Sequence, residues 1–212
     1  MEIRAYSDLY IESAQNIIGH MFDFAINENG MDADMFASVF SLSVYARELE
    51  RGNPTFAAGK TGPEIMRLVI EESGLSMKIK PDVMYIDRSP EYWAGWSLAY
   101  FQWYTNQTYH HILKAVPFSK IVKMYPAYHE MDIMKFVEAM KEFLAAYYPH
   151  TALKRYRELL GFSQRELSEK SGVPIRQIQL FEQRERDINK TQAITLLMLS
   201  KALGCPMERL MD

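Results

Sequence analysis

At 212 residues, 48% hydrophobic and 24% charged, the chain is long enough for one large or two smaller domains and too apolar to be disordered, collagen-like or low-complexity throughout. Its net charge of -3 hides an uneven split: residues 151–212 carry 11 Lys and Arg against 8 Asp and Glu, whereas residues 1–150 are net -6. The single cysteine, Cys205, excludes an internal disulfide framework and any zinc site built on several thiolates. The longest aromatic and apolar run, Tyr92 to Tyr104, contains Ser97 and Gln102 and is shorter than the roughly 20 residues that span a bilayer, so no membrane partner is expected. Glu2, Asp8 and Glu12 break up the N-terminus, which does not read as a secretory signal, and a cytoplasmic location is expected. Only Tyr156, Phe162 and Phe181 of the 27 aromatic residues lie beyond residue 150. Together with the charge shift, this predicts a boundary near Pro149 and two domains, 1–149 and 150–212.

The front half reads as mainly helical. Ser7 caps a predicted helix in which Tyr10, Ala14, Ile17, Met21 and Ala25 share a face, ending at Gly30. A second is predicted from about Asp32 to Gly52, presenting Phe36, Val39, Phe40, Ser43 and Leu49. Thr61 and Glu64 fit a capping box ahead of a helix that closes near Gly74. Alternation of Met77, Ile79, Val83 and Tyr85 around Pro81 leaves room for a short strand pair in Leu75 to Ile86. Ser89 and Pro90 open a helix whose Trp96, Ala99, Tyr100 and Trp103 share a face, and Met131, Met134, Val137, Met140 and Leu144 form the last amphipathic stripe. The Trp93 to Tyr104 aromatics read as helix core, with a ligand pocket or partner groove as the alternative.

Residues 151–212 read as five short helices. Ser163 and Glu166 form a capping box for the second, Gly172 ends it, and Pro174 opens a third after a turn of a few residues. Asn189 and Gln192 cap a fourth, which Gly204 ends before Pro206 starts the fifth. A tight pair of short helices is the unit that places its second helix in the DNA major groove. Gln164, Leu167, Gly172, Val173, Ile178, Glu182 and the run SKALG at 200–204 stand at fixed spacings, and through them this segment resembles the Cro/C1-type, or Xre-family, helix-turn-helix domain. The fold class expected is therefore all-α, a larger helical domain followed by a five-helix DNA-binding domain.

That resemblance implies a small core of Leu153, Tyr156, Phe162, Leu167, Val173, Ile178, Phe181, Leu197 and Leu203. It implies a structural pairing of Arg157 with Glu182. It puts Gln164 on a DNA phosphate and Arg176 at a base-reading position, where a guanidinium can bond guanine O6 and N7 together. Ile175, Gln179 and Leu180 share that reading surface, with a thymine methyl and adenine as partners for the first two. Gln183, Arg184, Arg186 and Lys190 are expected to anchor phosphates. Leu159 and Leu160 stand where the family often has a polar face, which leaves docking, a dimer contact and local core packing open.

Other motifs carry no chemistry. The run AAGKTG at 57–62 has Pro54 where a phosphate-binding loop needs glycine, and it reads as a loop plus helix cap. His110, His111 and His129 lack the spacing of metal ligands. No catalytic triad or paired-carboxylate signature is present, so no enzyme activity, cofactor or metal is expected. The expectation is a sequence-specific repressor that binds double-stranded DNA as a homodimer, with residues 1–149 sensing a small ligand or holding a protein partner. The alternative is an antitoxin that neutralises a toxin through residues 1–149 and represses its own operon.

Overall fold

The computed structural model describes residues 4–82 and 88–211, which hold helices and no strand. The chain folds as two compact units, Met1–Tyr147 and Tyr148–Asp212. The helices of the first are α1 (Ile11–Asp23), α2 (Ala33–Leu42), α3 (Val44–Glu50), α4 (Pro54–Ala57), α5 (Gly62–Ser73), α6 (Pro90–Thr105), α7 (Tyr109–Ala115), α8 (Phe118–Tyr128) and α9 (Ile133–Tyr147). Those of the second are α10 (Ala152–Leu159), α11 (Gln164–Ser171), α12 (Ile175–Glu182) and α13 (Ala193–Leu203), with 3-10 turns at Ile188–Lys190 and Met207–Leu210. Among the described residues no helix is long and apolar enough to cross a membrane.

Helix α1 is the axis of the front unit, with Ala14, Ile18, Met21 and Phe22 fully buried along it. Two helices approach its backbone where they carry glycine. A Cβ on Gly62, at the start of α5, would lie 2.4 Å from the Met21 nitrogen, and one on Gly95 of α6 would lie 2.7 Å from the Ile18 carbonyl oxygen. Neither neighbour is a flexible side chain, so the helices themselves must move apart. Gly95→Ala should therefore destabilise the front unit by about 1–3 kcal/mol, the range for overpacking, measured by denaturant unfolding. Unchanged stability would show that the α1–α6 crossing can open freely. Around this axis Phe22 stacks on Phe118 at 3.8 Å, and Phe36 and Phe40 meet Phe22 edge-on at 5.3 and 5.7 Å.

Several sequence expectations need correction. Ser7 caps a one-turn 3-10 segment, Asp8–Tyr10, rather than α1 itself. The predicted helix from Asp32 to Gly52 breaks at Ser43, whose hydroxyl donates to the Phe40 carbonyl and accepts from the Ala46 N–H to start α3. Glu72 stabilises the break from α5 by accepting the Val44 N–H. Trp96, Tyr100 and Trp103 are only half-buried, because α6 turns Tyr92, Leu98, Ala99 and Phe101 inward. A strap from the N-terminus crosses the aromatic face instead: the Trp103 indole donates to the Tyr6 carbonyl, and the Arg4 guanidinium lies 3.7 Å from the Tyr104 ring centre. Met131 is exposed, leaving Phe136, Val137, Met140 and Leu144 as the buried stripe of α9. Residues 75–82 form no strand, and Val83 and Tyr85 lie outside the described residues.

In the tail unit Leu197 is half-exposed, and Leu196 and Leu199 take its place in the core with Ile188 and Leu210. Tyr156 and Phe162 pack against that core while remaining partly exposed. Gln192 precedes α13 without a side-chain cap, Asn189 lies within the 3-10 turn, and the expected fifth helix is a 3-10 turn.

Candidate nucleic-acid interface

The α11–turn–α12 unit is set by local chemistry. The Ser163 hydroxyl accepts the Glu166 N–H, and the Glu166 carboxylate accepts the Ser163 N–H at 2.7 Å. At the other end Gly172 takes the left-handed conformation, φ 72°. The Ser168 hydroxyl then donates to the Val173 carbonyl, and Pro174 precedes α12 with a fixed φ and no N–H to leave unpaired. The Ser163 N–H, followed by the Ser163 hydroxyl, holds the Glu166 carboxyl below the ordinary 4.5. A carboxyl depressed in the folded state stabilises above its unfolded value, and that contribution is lost as pH falls through the folded value. Glu166→Gln should therefore flatten the decline in tail stability on acidifying below about pH 5. An acid limb identical to the parent's would show that other carboxylates carry it.

At 3.6 residues per turn, Ile175, Arg176, Gln179, Leu180 and Gln183 fall within roughly 140° on one side of α12, and Ile178 and Phe181 lie opposite. Burial follows this arc. Ile178 and Phe181 are in the core, Arg176 and Gln183 are exposed, Ile175 is 40% exposed, and Gln179 and Leu180 are half-buried. Arg176 has no hydrogen bond or ion pair from its side chain among the described residues.

Beneath this face runs a polar chain. Arg157 grips Glu182 with two parallel bonds, Nε to Oε1 at 2.6 Å and Nη2 to Oε2 at 2.9 Å, and its Nη1 donates to the Phe162 carbonyl at 2.7 Å. The Gln164 side-chain amide donates to Glu182 at 2.9 Å, and the Gln179 side-chain amide reaches Gln164 Oε1 at 3.5 Å. The ion pair thus connects, through Gln164, to the exposed arc. The family resemblance points Gln164 at a phosphate, and the sequence carries no sign of its bond to Glu182, eighteen residues away.

The cations after α12 differ in their settings. Arg184 adopts φ 58° as the helix ends, and its guanidinium donates to the Tyr148 carbonyl at 3.2 Å. Arg186 lies over the Phe181 ring, and Lys190 pairs with Asp187 at 3.6 Å. All three are exposed, as are Leu159 at 80% and Leu160 at 44%, so these leucines do not complete the local core. Gln177, absent from the predicted set, lies 3.4 Å from the Thr191 hydroxyl and ties α12 to the following loop. Among the described residues no group of His, Cys, Asp and Glu is arranged to hold a metal ion.

A family model described as helix-turn-helix matches residues 153–210, a little over a quarter of the chain, and no family match falls on the front unit. No curated protein and no solved structure gave a match to the chain. The matched segment coincides with the helices just described, from α10 through the final 3-10 turn, and the tail of this chain is a Cro/C1-type helix-turn-helix domain, a DNA-binding regulatory module.

Proposed function

We propose that the chain is a sequence-specific transcriptional repressor that lays α12 in the major groove and acts as a homodimer, while the front unit senses a ligand or partner. The observation that carries this reading is the exposed arc of α12, where Arg176, whose side chain has no hydrogen bond or ion pair among the described residues, stands with Ile175, Gln179 and Leu180. In it Arg176 forks onto a guanine, Gln179 bonds an adenine, and Ile175 and Leu180 contact thymine methyls or exclude water. Gln183, Arg184, Arg186 and Lys190 bond the flanking phosphates. Gln164, at the first turn of α11, adds a phosphate contact at a helix N-terminus while its amide stays on Glu182.

Selection of bound fragments from the source genome by the purified full chain tests this reading. The expected result is enrichment of a pseudo-palindrome with half-sites about 34 Å apart, including the promoter of a gene whose transcription rises when the protein is removed. No enrichment over random fragments contradicts sequence-specific binding. Enriched sites whose genes fall in expression on removal contradict repression.

A further inference from the structure

A cleft of about 430 Å³ opens in the front unit beside α2, α7 and the start of α8. That volume is in the roughly 300–1,000 Å³ range of small-molecule sites. Much of its lining is apolar, with Leu42 from α2, Leu113 from α7, and Pro117 and Phe118 from the turn into α8. The polar lining residues differ in how far they are engaged. Both oxygens of Asp34 accept from Ser119, one from its N–H at 2.8 Å and one from its hydroxyl at 2.6 Å, so this carboxylate caps α8. The Ser41 hydroxyl donates to the Ser38 carbonyl and lies 3.4 Å from His110 Nδ1, an arrangement that steadies the imidazole. The side chains of Lys114 and Ser38 are exposed and have no hydrogen bond or ion pair among the described residues.

We propose that this cleft binds a small monocarboxylate with a short apolar body, its carboxylate on the Lys114 ammonium and the Ser38 hydroxyl and its hydrocarbon against Leu42, Leu113 and Pro117. The charges favour a monoanion. A cationic ligand would meet Lys114, and a neutral one would leave that ammonium without a counter-ion beside an apolar wall. A phosphate dianion would add a second negative charge near Asp34 with one lysine to balance it. Pockets of this kind take affinity from apolar contact and orientation from a few polar groups. The assignment deepens the sensing role proposed for the front unit and rests on that role for its regulatory consequence, whereas occupancy of the cleft can be read without DNA.

The test titrates the ¹⁵N-labelled full chain with sodium hexanoate, hexanol and hexylamine at matched ionic strength. Hexanoate should shift the amide resonances of residues 34–42 and 110–118 saturably and bind more tightly than either analogue. Lys114→Met, which keeps the stem and removes the charge, should weaken hexanoate about tenfold, equivalent to 1.4 kcal/mol, and leave hexanol unchanged. The site assignment is overturned by equal hexanol affinity, by preference for hexylamine, by no saturable shift, or by hexanoate affinity unaltered in Lys114→Met. Operator titrations with and without hexanoate give a separate readout. Cleft occupancy without any change in operator affinity upholds the site and contradicts the sensing role, and a change in affinity supports both.

Discussion

Arg157→Ala is expected to destabilise the tail unit by about 3–5 kcal/mol, the cost of removing one partner from a buried ion pair. The Arg157 and Glu182 side chains are only 10% and 2% exposed. Alanine leaves the Glu182 carboxylate buried with the Gln164 amide as its remaining partner, and it leaves the Phe162 carbonyl without its guanidinium donor. A loss of this size is a large fraction of the stability of a domain of about 65 residues, since folding free energies total roughly 5–15 kcal/mol. Arg157→Lys should recover only part of it, because an ammonium cannot reproduce the two parallel bonds. Replacing both partners, Arg157→Met with Glu182→Leu, should recover more than either single variant, since no charge is then left buried alone. Amide exchange of the tail in the full chain measures all three. Near-parental protection in Arg157→Ala would mean that water reaches Glu182 and that the pair is energetically a surface pair.

Arg176→Ala should leave stability unchanged and weaken operator binding by about 1–3 kcal/mol, a factor of roughly 5 to 150, with much less loss on random DNA. The separation is clean because the Arg176 side chain is exposed and unpaired among the described residues, so alanine removes nothing from the fold. Equal losses on operator and random duplex would assign Arg176 to a phosphate. Lys190→Ala supplies the contrast. Its exposed pairing with Asp187 stabilises little, and its loss should lower affinity for every sequence alike and reduce the salt slope by about one.

The tail was legible because its signals are local. Ser163 with Glu166, Gly172 and Gly204 each act within a few residues, and each holds the conformation its residue type implies. The same holds for Thr61 with Glu64 and for Gly74 in the front unit. Where sequence and structure part, distant residues decide the outcome. The break at Ser43 is supported by Glu72, 28 residues from the Val44 N–H it accepts, while the local run of Phe36, Val39 and Phe40 gives no hint of it. The half-buried aromatic face of α6 meets a strap almost a hundred residues earlier in the chain. Leu197 loses its expected core place because Leu196, Leu199 and Leu203 turn inward on α13, a rotation that a run of neighbouring leucines does not specify. The residues that the family resemblance implies for DNA reading fall on one exposed arc of α12, whereas the bond from Gln164 to Glu182 depends on how two helices meet.

DNA recognition is expected to reside in the tail, with the front unit acting through it. Residues 148–212 and residues 1–147, produced separately, can be titrated by fluorescence anisotropy against an operator duplex and a scrambled duplex of equal length. The tail should prefer the operator, more weakly than the full chain where the front supplies dimer contacts, and the front should bind neither duplex. Operator binding by the front alone, or a folded and artificially dimerised tail that cannot tell the two duplexes apart, would contradict it.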